Sequence, residues 1–156
     1  MFSREESRFR QSLAAVVAVL MLACFTHADN REPTVEQLKE RIANASIPNR
    51  PPLCIQLSEM QLDAAGRFYK LGDSEQAKAA LTDVVAFSEL ARDYSIQSHK
   101  HEKQSEIAIR RMARRLEDLK HTVDHDDLAQ IQATIDRLYR IREDLLLAMF
   151  PKGNKQ

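Results

Sequence analysis

The residues from 74 to 123 contain neither Gly nor Pro, and steps of four and three from Ala77 trace one line through them. The line is Ala77, Leu81, Val84, Ser88, Ala91, Ser95, Ser98, Glu102, Ser105, Ile109, Met112, Leu116, Leu119 and Val123. A seven-residue repeat held over so many turns keeps one stripe facing its neighbours, which predicts a single long helix over about 74–121 packed against other helices. The stripe is apolar at both ends and small or polar between Ser95 and Ser105, so the rod has two apolar ends joined by a polar waist.

The flanking segments carry helical periods of their own. Thr34 and Gln37 form a capping box, and Val35, Leu38 and Ile42 share one face, which predicts a short amphipathic helix over 34–45. Pro48, Pro51 and Pro52 then define a stiff linker, with Pro52 in the first turn of the next helix, where no N–H is needed. From Leu53, the positions Leu57, Met60, Ala64, Phe68 and Leu71 recur at helical spacing, Gly72 is placed as a C-cap, and Asp73 caps the long helix. Beyond His121–Asp124 a fresh pattern (Leu128, Ile131, Ile135, Leu138, Arg142, Leu145, Met149) predicts a last helix over 126–149, capped by Asp124 or Asp126. Pro151 and Gly153 end it and leave a polar tail, 151–156.

The predicted fold is therefore all-α: a short N-terminal helix, then antiparallel helices over 52–150 around one long central helix. At about 1.5 Å per residue the rod spans roughly 70 Å and its two covering helices about 30–35 Å each, so together they line its length. The alternative is a break near 95–101 that gives a four-helix up-down bundle. With no strong breaker there and the heptad phase unshifted, the pattern favours the continuous rod.

Composition fits one folded domain: 156 residues, 44% hydrophobic and 29% charged, with too few Gly and Pro for an all-β fold. The 23 basic and 23 acidic side chains cancel, so no overall field draws the chain to nucleic acid. Arg110, Arg111, Arg114 and Arg115 make the most basic segment, but Glu102 and Glu106 dilute it and stacking aromatics are missing, which reads as a solvated face rather than a nucleic-acid surface.

The N-terminus has its own logic. Arg4, Arg8 and Arg10 precede an uninterrupted apolar run from Leu13 to Phe25, followed by Thr26, His27 and Ala28. This is the layout of a signal peptide, 1–28, cleaved after Ala28, and it predicts a periplasmic or secreted protein. The run is short for a membrane span, which takes about 20 residues. Membrane attachment is expected only if this segment stays uncleaved, or if Met21–Cys24, similar to a lipoprotein cleavage box, leads to a lipid on Cys24. Without Cys24 the mature chain keeps only Cys54, read as a small buried hydrophobe rather than an interchain bridge.

Candidate chemistry is sparse. His121 and His125, with Asp124, have a spacing that suits a metal on a continuous helix, although the expected helix boundary falls between them. The waist residues Ser95, Ser98, His99, His101, Glu102 and Ser105 place small or polar groups where core side chains are expected, so another helix can approach closely there or water can enter, a second molecule being one candidate to fill the gap and a solvated joint between two small cores the other. Cys-x-x-Cys-His, a nucleophile elbow and a Gly-rich phosphate loop are all missing from the sequence, and neither an enzyme nor a cofactor is expected.

Ala64, Ala65, Tyr69, Leu71, Gly72, Asp73, Ala77 and Leu81 resemble the hairpin of a tetratricopeptide repeat over roughly one repeat length. The Trp and closing Pro of that motif are lacking, which leaves a generic αα-hairpin. The order of leader, proline-bounded helix, hairpin, rod and a last helix ending in Met149, Phe150 and Pro151 resembles small uncharacterised exported bacterial helical proteins. That resemblance implies export and a helical fold, and no activity. The expectation is a non-enzymatic interaction or structural protein that engages itself or another protein. A small ligand or metal carrier and a periplasmic holdase are the alternatives.

Overall fold

The computed structural model describes residues 33–151. The leader, Cys24 and the tail beyond Pro151 lie outside the described residues. Within the described residues five α-helices succeed one another: α1 (Val35–Asn44), α2 (Arg50–Lys70), α3 (Ser74–Ser98), α4 (Glu102–Leu119) and α5 (His125–Met149), with a 3-10 turn at Ile47–Asn49. The all-α bundle expected from the periodicity is the observed architecture.

Most starts and stops obey local chemistry. The Thr34 hydroxyl accepts from the Gln37 N–H at 3.2 Å, and the Thr34 N–H donates to Gln37 Oε1 at 2.9 Å. The proline segment is not a separate linker, because Ile47–Asn49 coils directly into α2 and Pro51 lies in its first turn. Arg50 locks this corner: its guanidinium donates to the Ala45 carbonyl at 3.0 Å and the Ala43 carbonyl at 3.3 Å, and lies 5.0 Å from the Tyr94 ring centre. Gly72 ends α2 at φ 75°, with its N–H donating to the Tyr69 carbonyl and the Asp73 N–H to the Phe68 carbonyl, both at 3.0 Å. This is the Schellman arrangement, and Asp73 then caps α3 by accepting from the Gln76 N–H at 3.1 Å.

The continuous rod is not found. The chain turns at His99–His101, and the alternative, a break near 95–101, is the one observed. His99 repeats the role of Gly72: its N–H donates to the Ile96 carbonyl at 3.4 Å, the Lys100 N–H donates to the Ser95 carbonyl at 3.2 Å, and its φ is 51°. His101, at φ 64°, starts α4 with no side-chain cap. Two left-handed non-glycine residues cost about 1–2 kcal/mol each. Folding the rod back offsets that cost, because α3 and α4 then contribute Leu81, Val84, Ile109, Met112 and Leu116 to one core shared with α2 and α5.

Ion pairs give the helix directions. Glu59 pairs with Arg111 and Asp63 with Arg115, so α2 and α4 run parallel. Glu89 pairs with Arg137 and Arg92 with Asp144, so α3 and α5 do too. The hairpins α2–α3 and α4–α5 therefore stack side by side, in place of two helices each covering half a rod.

The main core joins Leu62 and Ala65 of α2 to Leu81 and Val84 of α3, Ile109 to Leu116 of α4, and Ile131 to Leu145 of α5. A second cluster seats Leu38 and Ile42 of α1 on Cys54, Leu57 and Ala91. Because α2 touches α1, α3 and α4, it buries more than the single face expected of it, and Cys54, Ser58 and Leu62 lie inside as well as Leu57. Leu71, placed on the apolar line by its spacing, sits at the helix end and is 79% exposed.

Candidate interaction surface

The waist residues come together at the α3–α4 turn, but not as an open gap. Ser95 and Ser105 are buried, and their hydroxyls pair at 3.0 Å. Ser98 donates to the Tyr94 carbonyl at 2.7 Å, a bond back to its own helix. The small side chains therefore let α3 and α4 meet closely beside the turn and satisfy each other. Only the rim is accessible: the His99 side chain is 88% exposed, with Nδ1 3.8 Å from the Glu102 carboxylate.

His121 and His125 are placed on either side of a boundary, His121 in the turn after α4 and His125 at the first residue of α5, so they do not share a helical face. Asp124 is the residue before α5 and makes no side-chain cap bond. Among the described residues no group of three or more His, Cys, Asp or Glu is arranged to hold a metal ion.

Two buried carboxylates do more than their spacing suggests. Asp127, in the first turn of α5, accepts from the Ser74 hydroxyl at 2.7 Å and lies 3.8 Å from the Lys78 ammonium, tying the start of α5 to the start of α3. Next to it the Tyr69 hydroxyl is buried without a hydrogen-bond partner, and burial, helped by the Asp127 charge, pushes its pKa up to about 12. Glu106 is expected to pair with Arg110 on one helix, and it does so at 3.5 Å. It also accepts from Arg142 of α5 at 2.6 Å. Arg142 interrupts the apolar period of α5, and the partner that explains it lies on another helix.

Cys54 is fully buried beneath α1, as the reading of a small hydrophobe expects. Burial pushes its thiol up to about 11, with Arg50 pulling weakly the other way, so it carries no thiolate at neutral pH.

Among the described residues two further outward features involve α5. A groove of about 330 Å³ runs between α3 and α5, lined by Leu81, Thr82, Val85, Ala86, Glu89, Gln130, Ala133 and Thr134. The outer side of the second half of α5 carries Tyr139 and Leu147, and Phe150 follows its last residue, exposed by 41%, 46% and 70%. The exposure of Phe150 is hidden in the sequence, where it reads as the end of the last helix, and Leu147 lies off the apolar line traced through that helix.

Comparison with protein-family models, curated proteins and solved structures finds no match. Among the described residues no helix is long and apolar enough to cross a membrane.

Proposed function

We propose that this chain is an exported, non-enzymatic protein–protein interaction or structural module whose contact face is the outer side of α5. One observation carries the reading: Tyr139 and Leu147 stand exposed on one side of a helix whose opposite side is sealed in the core, and Phe150 stands exposed just past its end. Large apolar side chains grouped at the surface favour a partner that covers them. Asp136, Arg140 and Glu143, all exposed on the same side, give the row charges of both signs, with Glu143 between Tyr139 and Leu147. The partner that fits is a protein offering an apolar surface with a basic residue placed to meet Glu143. Export rests on the apolar run Leu13–Phe25 and the short polar segment after it, and a mature chain beginning at Asp29 in the exported fraction is the expected product.

Photo-crosslinking in the cells that make the protein tests the contact face. A photoreactive residue at Leu147 is expected to give one discrete adduct, identified by mass spectrometry, which is lost when Glu143→Lys is added. The same residue at Glu75, exposed at the opposite end of the neighbouring helix α3, is expected to give none. Equal labelling from both positions, or none from Leu147, overturns the reading.

The groove between α3 and α5 supports a second reading, a carrier of a small apolar ligand. Alkyl probes that raise the melting temperature of the wild type but not of Ala133→Phe would support it. No shift with any probe would remove it.

A further inference from the structure

We infer that the His99–His101 turn is a hinge, and that opening it into helix lets the α4–α5 hairpin of one chain dock on the α2–α3 hairpin of a second copy. The swapped dimer would contain two continuous helices over 74–119, each about 70 Å long at about 1.5 Å per residue.

Three independent features point the same way. The hinge is strained where it need not be: His99 and His101 both have left-handed backbones, at φ 51° and 64°, while the turn between α2 and α3 gives the same role to Gly72. Helical geometry at these two positions relieves that strain. The buried stripe is also already in register for a straight helix. Ala91 and Ser95 on one side of the turn and Ser105 and Ile109 on the other belong to one heptad line, and Ser98 and Glu102 fill the steps between them. An ordinary helical hairpin has no reason to keep that phase across its turn. Lastly, this turn alone joins the two stacked hairpins, so everything between them can be remade between chains, including the Glu59–Arg111 and Asp63–Arg115 pairs.

The waist then gains a role. With a twofold axis near the hinge, the two long helices cross there, and the buried Ser95–Ser105 pair re-forms between chains. Short connections under strain are the setting in which exchange of an element between protomers is cheap. The swap uses the inter-hairpin faces and leaves the outer side of α5 free, so it stands or falls separately from the proposed contact face.

The test uses the purified mature chain and light scattering after chromatography over a range of concentrations. His99→Ala with His101→Ala favours helix at the hinge and is expected to tighten dimerisation by about tenfold or more, whereas His99→Gly with His101→Gly weakens it. A second measurement distinguishes a swap from any other dimer. Chain one carries Glu59→Arg and Asp63→Arg; chain two carries Arg111→Glu and Arg115→Glu; both also carry the two alanines at the hinge. Each chain alone sets like charges against each other between α2 and α4. Only a swapped heterodimer matches both lobes, so mixing after brief unfolding is expected to give heterodimer well above the statistical half. A statistical mixture or only monomers overturns the proposal, as does a hinge-alanine chain, with all its native charges, that stays monomeric at the highest concentration.

Discussion

Gly72 and His99 occupy the same Schellman position at the ends of successive helices, so exchanging their chemistry should change stability in opposite directions. An ideal Cβ at Gly72 meets nothing within 4 Å, which leaves the backbone at φ 75° as the only obstacle to Gly72→Ala. The left-handed penalty of about 1–2 kcal/mol is partly offset, by about 0.4–1 kcal/mol, because alanine also restricts the unfolded chain. Gly72→Ala should therefore destabilise by about 1 kcal/mol. His99→Gly reverses both signs at φ 51°, and the contact it removes is a single 3.8 Å approach to Glu102 by a side chain 88% exposed. A surface pair of that kind is worth close to nothing, so His99→Gly should stabilise by about 0.5–1 kcal/mol. His99→Ala keeps the left-handed penalty and should fall close to wild type. Urea titration at low protein concentration, monitored by circular dichroism, reads all three from the midpoint provided the slope is unchanged. The reasoning is refuted if His99→Gly destabilises, or if Gly72→Ala is neutral.

Other substitutions probe the ties between helices. Arg142→Ala leaves Glu106 buried with only the longer Arg110 contact and should cost about 2 kcal/mol in urea titration, whereas Arg110→Ala should cost about 0.5 kcal/mol or less. Arg50→Ala removes the clasp on the end of α1, and Cys54 should then react with a thiol reagent about tenfold faster, read from the labelling rate, with global stability lower by about 1.4 kcal/mol, the free energy that the same factor represents. Alkali should destabilise the fold through Cys54, whose pKa is about 11 in the folded chain against 9.0 for the free group. The folded state holds this proton longer, so the contribution is complete below pH 9 and is lost as pH rises towards 11. Thermal melts of Cys54→Ala should therefore fall less steeply over that window than those of the wild type.

Elements that depend on neighbours in sequence are readable from the sequence. The Thr34 box, the Gly72 stop, the Asp73 cap and the apolar line of α5 are each decided within a few residues, and the structure keeps them. The break at His99–His101 is not readable, because its signal is normally a glycine and here histidines accept the left-handed backbone. Only the burial of both halves against the same core decides it, and that is a property of the assembled bundle. The same limit applies to the candidate surface. The serines at the waist read as a place where another helix approaches or water enters, and the Ser95–Ser105 bond shows a helix of the same chain there. Arg142 reads as a fault in an apolar stripe until Glu106 is found opposite.

The parallel stacking of the two hairpins sets an order of events in folding. Each hairpin closes over a short turn, while Glu59–Arg111, Asp63–Arg115 and Arg92–Asp144 each join residues 52 positions apart. Local closure costs less chain entropy than long-range pairing, so the hairpins are expected to form first and their docking to set the overall rate. Substitutions inside a hairpin should then slow refolding, while loss of these charge pairs should mainly speed unfolding. On that order the chain would reach its slowest step with two formed halves, the point at which a half from another molecule could compete with its own.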